Sequence, residues 1–280
     1  MDFKSQPEKV WSVFKHQLEI VNARFRGTNY CHACGFTGKR KFKRVLWPEL
    51  IAQWELSPEW VNWFDEREGS YCVNCHSSLR TNQLATALIK GFNLLAGVQG
   101  KSLKDVCRDP GLSGMKVAEI NSAGTIHQFL GQLPGLSYSE YGSQLPEIRS
   151  ENLESLSYSP SHFDMVVTSE TLEHVPDFEK ALAEIYRVLK PGGLHIFTIP
   201  VVWDKPATRV RAKIENNVLV NILPPSYHGA PDDDFEDYLV FSEFGSDAVD
   251  TIRNAGFDVE LIQDAENKAL VTFFTRKPAH

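Results

Sequence analysis

Two Cys-x-x-Cys pairs, Cys31-His-Ala-Cys34 and Cys72-Val-Asn-Cys75, constrain this chain more than any other feature. Each pair aims two thiolates at one point, and two pairs complete a tetrahedral shell. The spacing predicts one structural Zn²⁺ held by Cys31, Cys34, Cys72 and Cys75, which brings both ends of a long segment together. His32 and His76 flank the pairs, but four cysteines already fill the shell. About forty residues separate the pairs, long for a plain zinc ribbon, so a helical insert is expected. Its Trp54, Trp60 and Trp63 offer enough aromatic area for a small core of their own. The fifth cysteine, Cys107, stands alone, and an odd count argues against a disulfide framework.

Beyond residue 98 the character of the chain changes. Trp, Cys and charge give way to short apolar runs alternating with amphipathic ones. The Pro- and Gly-bearing stretch that ends at Gly114 marks a junction. We divide the chain into a zinc-binding N-terminal domain with a helical insert, residues 1–105, and a second domain, residues 106–280. With 280 residues, 42% of them hydrophobic, the chain can bury one large core and a small second one.

In the second domain, strands are predicted at 115–120, 136–141, 163–169, 194–200, 257–263 and 269–276, with a very short extended piece near 150–153. Helices are predicted at 125–133 and 246–255, and from Asp177 onward. Asp177 can cap that last helix, Phe178, Leu182, Ile185 and Leu189 form its buried stripe, and Pro191-Gly192-Gly193 ends it. Such alternation predicts an α/β fold with a parallel sheet covered on both faces, plus one antiparallel member from the final hairpin.

In such sheets, ligands bind beyond the carboxyl ends of the strands. The first strand leads into Glu119-Ile-Asn-Ser-Ala-Gly124, whose small residues let backbone amides approach a ligand. The second ends at Glu140, an acid placed to accept both hydroxyls of a ribose. The whole block, with Asn152-Leu153, Phe163-Asp-Met-Val-Val-Thr-Ser-Glu-Thr-Leu-Glu173-His174-Val and Leu189-Lys-Pro-Gly-Gly-Leu, resembles the class I S-adenosylmethionine-dependent methyltransferases of the methyltransferase type 11 kind. The likeness spans roughly residues 115–200 and is most specific from Phe163 to Gly193. The cysteine arrangement also resembles zinc-binding N-terminal extensions found on some of these enzymes.

The resemblance implies a Rossmann-like, mostly parallel seven-stranded sheet with helices on both faces. It implies an enzyme whose cofactor is S-adenosyl-L-methionine. Asn121, Ala123 and Gly124 would line the methionine end, Glu140 would hold the ribose, and Asn152 and Leu153 would flank the adenine. Ser169 and Glu170 would sit beside the sulfonium, with His174 close by. Glu119 is counted with the cofactor set as the acid that would serve in a shifted register. The first loop carries Asn-Ser-Ala-Gly where the family has Gly-x-Gly-x-Gly, and the 142–149 connection is too short for a full helix.

For the acceptor, the segment Pro224-Pro-Ser-Tyr227-His228-Gly229 follows the fifth strand, where family insertions cover the substrate. His228 is the candidate base, with His174 and Tyr227 next in line. Asp232-Asp233-Asp234 reads as a solvated acidic loop. Three functions remain open at this point. The first is methyl transfer to a hydroxyl or amine of a small molecule, such as a sugar or natural-product precursor. The second is an RNA or protein methyltransferase that grips its substrate through the basic run at residues 39–44. The third is a non-catalytic module that keeps the fold. A net charge of −7 argues against a general polyanion binder, although the first fifty residues carry ten Lys or Arg and four acids, and 226–250 hold eight acids. No apolar run reaches the roughly 20 residues of a membrane span, and residues 1–10 are polar, so no membrane association and a cytoplasmic protein are expected.

Overall fold

A computed structural model of the chain describes residues 29–228 and 238–279. The expectations for residues 1–10, for Gly229 and for Asp232, Asp233 and Asp234 lie outside the described residues.

The first knuckle sits between β1 (Asn29–Tyr30) and β2 (Thr37–Gly38), which pair antiparallel. Next come β3 (Arg40–Phe42) and the expected helical insert, α1 (Pro48–Gln53) and α2 (Pro58–Gly69). Each helix has Pro in its first turn, where the missing N–H costs nothing, and Ser57 caps α2 by accepting from the Trp60 amide at 3.3 Å. The chain returns through β4 (Ser70–Cys72), paired with β3, into the second knuckle. The insert does not build a core of its own. Trp60 and Phe64 pack with Val202 and Ala269, and Trp54 packs with Leu50 and Val240. Helices of 6 and 12 residues present too little area to cover three indoles, so Trp54 and Trp60 are buried against the second half of the chain while Trp63 stays half-buried.

After the second knuckle runs α3 (Leu79–Ala96), capped by Ser78 and followed by the short α4 (Leu103–Val106). Although α3 precedes residue 105, its Leu84, Leu88 and Phe92 pack on Met165, Val167, Leu194 and Ile196 of the main sheet.

That sheet holds β5 (Val117–Ile120), β6 (Leu136–Glu140), β7 (Arg149–Ser150), β8 (Phe163–Ser169) and β9 (Leu189–Thr198). An insertion then carries β10 (Arg209–Val210), the hairpin of β11 (Ala212–Glu215) and β12 (Val218–Asn221), and β13 (Ser242–Glu243). The final strands are β14 (Asp258–Gln263) and β15 (Val271–Arg276). The order across the sheet is β14-β15-β9-β8-β5-β6-β7. Only β15 runs against its neighbours, as the final hairpin requires.

Helices cover both faces. Beyond α5 (His127–Leu130), which follows a 3₁₀ turn at Gly124–Ile126, the main ones are α6 (Phe178–Val188) and α7 (Ala248–Asn254). Strand alternation assigns the faces: Val117, Met165 and Val167 meet α3, while Ala118 and Val166 meet the Leu182, Ile185 and Ile252 side. The Asp177 carboxylate caps α6, accepting from the Lys180 amide at 2.9 Å.

One boundary differs from the sequence expectation. Helix α6 stops at Val188, and Pro191-Gly192-Gly193 lies within β9, not at a helix end. The pairing jumps from Phe163–Leu189 to Met165–Leu194, so the Pro-Gly-Gly stretch is a bulge. A Cβ on Gly193 would lie 2.9 Å from the Lys190 carbonyl oxygen and 3.1 Å from that of Asp164, which explains the glycine.

Candidate active site

Strands β5 and β8 are neighbours, but the chain leaves β5 toward β6 on the opposite side. Their carboxyl ends therefore open a crevice at the point where strand order reverses. The predicted residues Asn121, Ala123, Gly124, Glu140, Asn152, Leu153, Ser169 and Glu170 all follow or end strands on this edge.

The first loop keeps its shape with few glycines. Asn121 takes φ +56°, a left-handed conformation that asparagine tolerates, and Gly124 takes φ +66°. The Asn121 amide donates to the Ser139 carbonyl at 2.9 Å, and its side-chain oxygen accepts from the Tyr141 amide at 2.8 Å. The loop is thereby laced to the tip of β6, next to Glu140. Glu119 is fully buried beneath it, accepting from the Ala123 amide at 2.8 Å and pairing with His127 Nδ1 at 2.7 Å. Burial pushes the Glu119 carboxyl up, against the pull of those two donors. Its oxygens are thus spent on the loop itself. Glu140 accepts from the Tyr138 hydroxyl, and the Tyr138 ring leans on His127 at 4.3 Å between centroids. Burial and Glu140 push the Tyr138 phenol up. The Asn152 side chain accepts from the Glu154 amide at 2.8 Å, and Leu153 is buried.

At the end of β8, Ser169 Oγ accepts from Arg80 at 2.5 Å and meets Thr198 Oγ1 at 3.0 Å. Glu170, at φ +50°, is gripped by Arg67 through two hydrogen bonds of 2.9 and 2.7 Å. Burial pushes the Glu170 carboxyl up, but Arg67 and Arg80 hold it down at about 2. No role was assigned to Arg67 or Arg80 from sequence. A signal existed: Trp60, Phe64 and Arg67 recur at helical spacing, and an arginine on a buried stripe requires a buried acid.

Beyond β8 lies a second group. Glu173 is fully buried, and neither carboxylate oxygen has a hydrogen-bond partner among the described residues. Burial, reinforced by Glu170, pushes its carboxyl well above the usual range. The His174 ring bonds the Leu239 carbonyl through Nδ1 at 3.0 Å, which leaves Nε2 facing Glu173 at 3.8 Å. His228 presents a shielded Nε2 that has no hydrogen-bond partner among the described residues. Its ring lies 5.1 Å from that of His174 and 5.4 Å from that of Trp54, whose indole N–H donates to Ser226 at 3.2 Å. Burial and the neighbouring His174 push the His228 imidazole down to about 3. One atom each of Glu173, His174 and His228 lie within 4.8 Å of one another, a set able to hold a small cation or a polar substrate group. The structure brings His174 and His228 together, whereas Tyr227 packs against Ala212, Leu239 and Phe241.

The four knuckle sulfurs also converge. They lie within 4.8 Å of one another, with Cys31–Cys75 at 3.6 Å and Cys34–Cys72 at 3.9 Å. Sulfurs about 2.3 Å from a tetrahedral centre stand about 3.8 Å apart, and disulfide sulfurs about 2.05 Å. The arrangement fits a metal centre and excludes a disulfide. Gly35 and His76, each directly after the second cysteine of its knuckle, both take positive φ, so the two turns match. In the basic run, Arg40 turns inward and donates to the Ser70 and Ser77 carbonyls.

Comparison with known proteins adds a family likeness. Residues 132–197 match the methyltransferase domain family model. Among curated relatives, a ubiquinone biosynthesis O-methyltransferase of Pseudomonas savastanoi pv. phaseolicola is 27% identical over 211 residues, covering 74% of this chain and 73% of the relative. That of Pseudomonas putida (strain GB-1) is 28% identical with the same coverage. Among solved structures, the 1,6-didemethyltoxoflavin-N1-methyltransferase of Burkholderia thailandensis, with bound S-adenosylhomocysteine, covers 85% of this chain and 96% of its own, with a TM-score of 0.40 and 16% identity. The chain thus carries part of a methyltransferase domain and is similar to S-adenosylmethionine-dependent methyltransferases. Among the described residues no helix is long and apolar enough to cross a membrane.

Proposed function

We propose that this methyltransferase acts on a hydroxyl of a small-molecule acceptor, with His228 receiving the acceptor's proton. The observation that carries the reading is the shielded Nε2 of His228, without a hydrogen-bond partner among the described residues and set beside His174 and Trp54 just beyond β8. The names of the curated relatives support a small acceptor that receives its methyl on oxygen. An indole edge and two imidazoles make a wall suited to a flat aromatic acceptor.

S-adenosylmethionine, when bound, supplies an already activated methyl group. The chain's task is then placement and proton handling. Glu140 holds the ribose hydroxyls, Asn121, Ala123 and Gly124 the methionine end, and Asn152 and Leu153 the adenine. Arg80, 15% exposed beside Ser169, offers a cation to the methionine carboxylate. Glu119 shapes the loop from below. Cys31, Cys34, Cys72 and Cys75 hold a structural zinc. A base as weak as His228 suffices, because the hydroxyl proton becomes strongly acidic as its oxygen gains the methyl. The same low basicity keeps the imidazole neutral, and so able to accept, throughout the physiological range.

Turnover of a panel of phenols and catechols, followed by S-adenosylhomocysteine release, tests the reading. His228→Ala should lower kcat by about a hundred- to ten-thousand-fold, the usual loss of a general base, and leave cofactor affinity intact. His228→Asn keeps the polar shape without the basicity and should be nearly as damaging. Normal turnover in both variants places the base elsewhere.

A further inference from the structure

The zinc knuckle and the cofactor loop are far apart in sequence but share one hydrogen-bonded junction. Ser77, fully buried two residues after Cys75, lies 3.2 Å from the Cys75 sulfur and 3.0 Å from Thr125 Oγ1. Thr125 is the residue after Gly124, inside the 3₁₀ turn that the first loop enters. Thr125 Oγ1 also donates to Thr81 Oγ1 at 3.4 Å, and Thr81 stands in the first turn of α3 beside its cap, Ser78. Around these hydroxyls the packing is continuous: Cys31, Ala33, Cys72 and Cys75 belong to the same buried cluster as Ala123 and Ile126. His32 adds a tie, its amide donating to Asn82 of α3 at 2.7 Å.

This junction answers a question that the loop itself raises. An Asn-Ser-Ala-Gly loop holds a single glycine, so its conformation must be imposed by what surrounds it. Glu119 and His127 hold it from beneath, and Asn121 from the β6 side. The remaining side is closed by the knuckle. We propose that Ser77 and Thr125 are positioning residues for the cofactor: they fasten the cofactor loop to the four-cysteine knuckle, so that a metal-loaded knuckle raises S-adenosylmethionine affinity. The proposal rests on the zinc and cofactor-loop readings above. By linkage the coupling is reciprocal, and the bound cofactor or its product tightens the metal.

The test uses the full chain purified without chelator. Metal content is measured first, then S-adenosylhomocysteine affinity by calorimetry, then metal affinity by competition with a chelator of known strength, with and without saturating S-adenosylhomocysteine. Thr125→Val removes the hydroxyl at nearly constant shape, and Thr125→Ser restores it. Thr125→Val should retain its metal and lose about three- to tenfold in S-adenosylhomocysteine affinity, the range of one net hydrogen bond, while Thr125→Ser recovers it. In the unaltered chain S-adenosylhomocysteine should raise metal affinity several-fold, and Thr125→Val should abolish that gain. A chain without metal fails at the first measurement, which overturns the zinc reading with it. A chain that holds metal but does not bind S-adenosylhomocysteine overturns the loop reading. A chain that binds both, each indifferent to the other, or a Thr125→Val variant that behaves as the unaltered chain, overturns the coupling alone.

Discussion

Arg67 crosses from α2 to the end of β8 and holds Glu170 through two parallel hydrogen bonds, of 2.9 and 2.7 Å, between residues 103 positions apart. The guanidinium is 1% exposed and the carboxylate 20%. Bidentate pairing of this kind fixes orientation as well as charge. The pair sits beside Ser169 and Arg80, so the N-terminal part of the chain helps to build the edge on which the proposed cofactor site stands.

Removing one partner of such a pair strands the other in a poorly solvated place. Arg67→Met is expected to cost about 3–5 kcal/mol of stability, and Arg67→Met with Glu170→Gln considerably less, because no orphaned charge remains. Urea unfolding of the two single variants and the double variant measures the difference. A single Arg67→Met variant within about 1 kcal/mol of the unaltered protein would contradict this account.

The knuckle should be a metal centre on which folding depends. Metal analysis is expected to return about one zinc per chain, and Cys75→Ser to lose the metal and destabilise the N-terminal half, since binding energy there is folding energy. Because Trp54 and Trp60 pack against the second half of the chain, the damage should spread into the acceptor wall. Tryptophan fluorescence recorded during chelation reports it. Fully folded protein devoid of metal would refute the assignment.

Much of this was legible in the residues, for identifiable reasons. The strands show because their short apolar runs, buried on both faces, are local, and α6 because Asp177 and the stripe of Leu182 and Ile185 are local. The convergence of the four cysteine sulfurs shows because two Cys-x-x-Cys pairs are local signatures. The Pro-Gly-Gly stretch misled because the signature that stops a helix also suits a bulge, and only pairing with β8 separates the two. Arg67 and Arg80 could not be tied to a role because a buried charge is defined by its partner, and Glu170 lies far away in sequence. The tryptophans of the insert were assigned to the wrong core for the same reason: periodicity shows which face is buried, not what covers it.

The ribose assignment yields a direct measurement. Glu140 ends β6, and among the described residues its carboxylate accepts from the Tyr138 hydroxyl, a phenol that a ribose hydroxyl can displace. Glu140→Ala should weaken S-adenosylhomocysteine binding by roughly ten- to a hundredfold, as expected for hydrogen bonds to a charged acceptor. Melting temperature should change little. Glu119→Ala should behave differently and lower stability first, because its oxygens hold the Ala123 amide and His127. Equal affinity in Glu140→Ala and the unaltered chain would remove Glu140 from the site.

The last expectation concerns acid stability and follows from His195. This histidine points into the sheet core with no exposed surface, stacked on Phe197 at 4.2 Å, its Nε2 3.0 Å from Thr168 Oγ1 and its Nδ1 without a partner. Burial pushes its imidazole down to about 3 from the ordinary 6.5. The unfolded chain therefore takes up the proton first as pH falls. The contribution of the neutral, buried imidazole is fully present above pH 6.5 and is lost steadily between 6.5 and about 3. The slope is about 1.4 kcal/mol per pH unit, hence about 2–3 kcal/mol by pH 4.5 from this residue alone. Other groups titrate over the same range, so the comparison has to be with a variant. His195→Gln can keep the bond to Thr168 but cannot be protonated. Urea midpoints at pH 7.5 and 4.5 should show the unaltered protein losing more stability than His195→Gln by that amount. Parallel losses in the two proteins would mean that the His195 ring is already protonated in the fold, or that acid reaches it without unfolding.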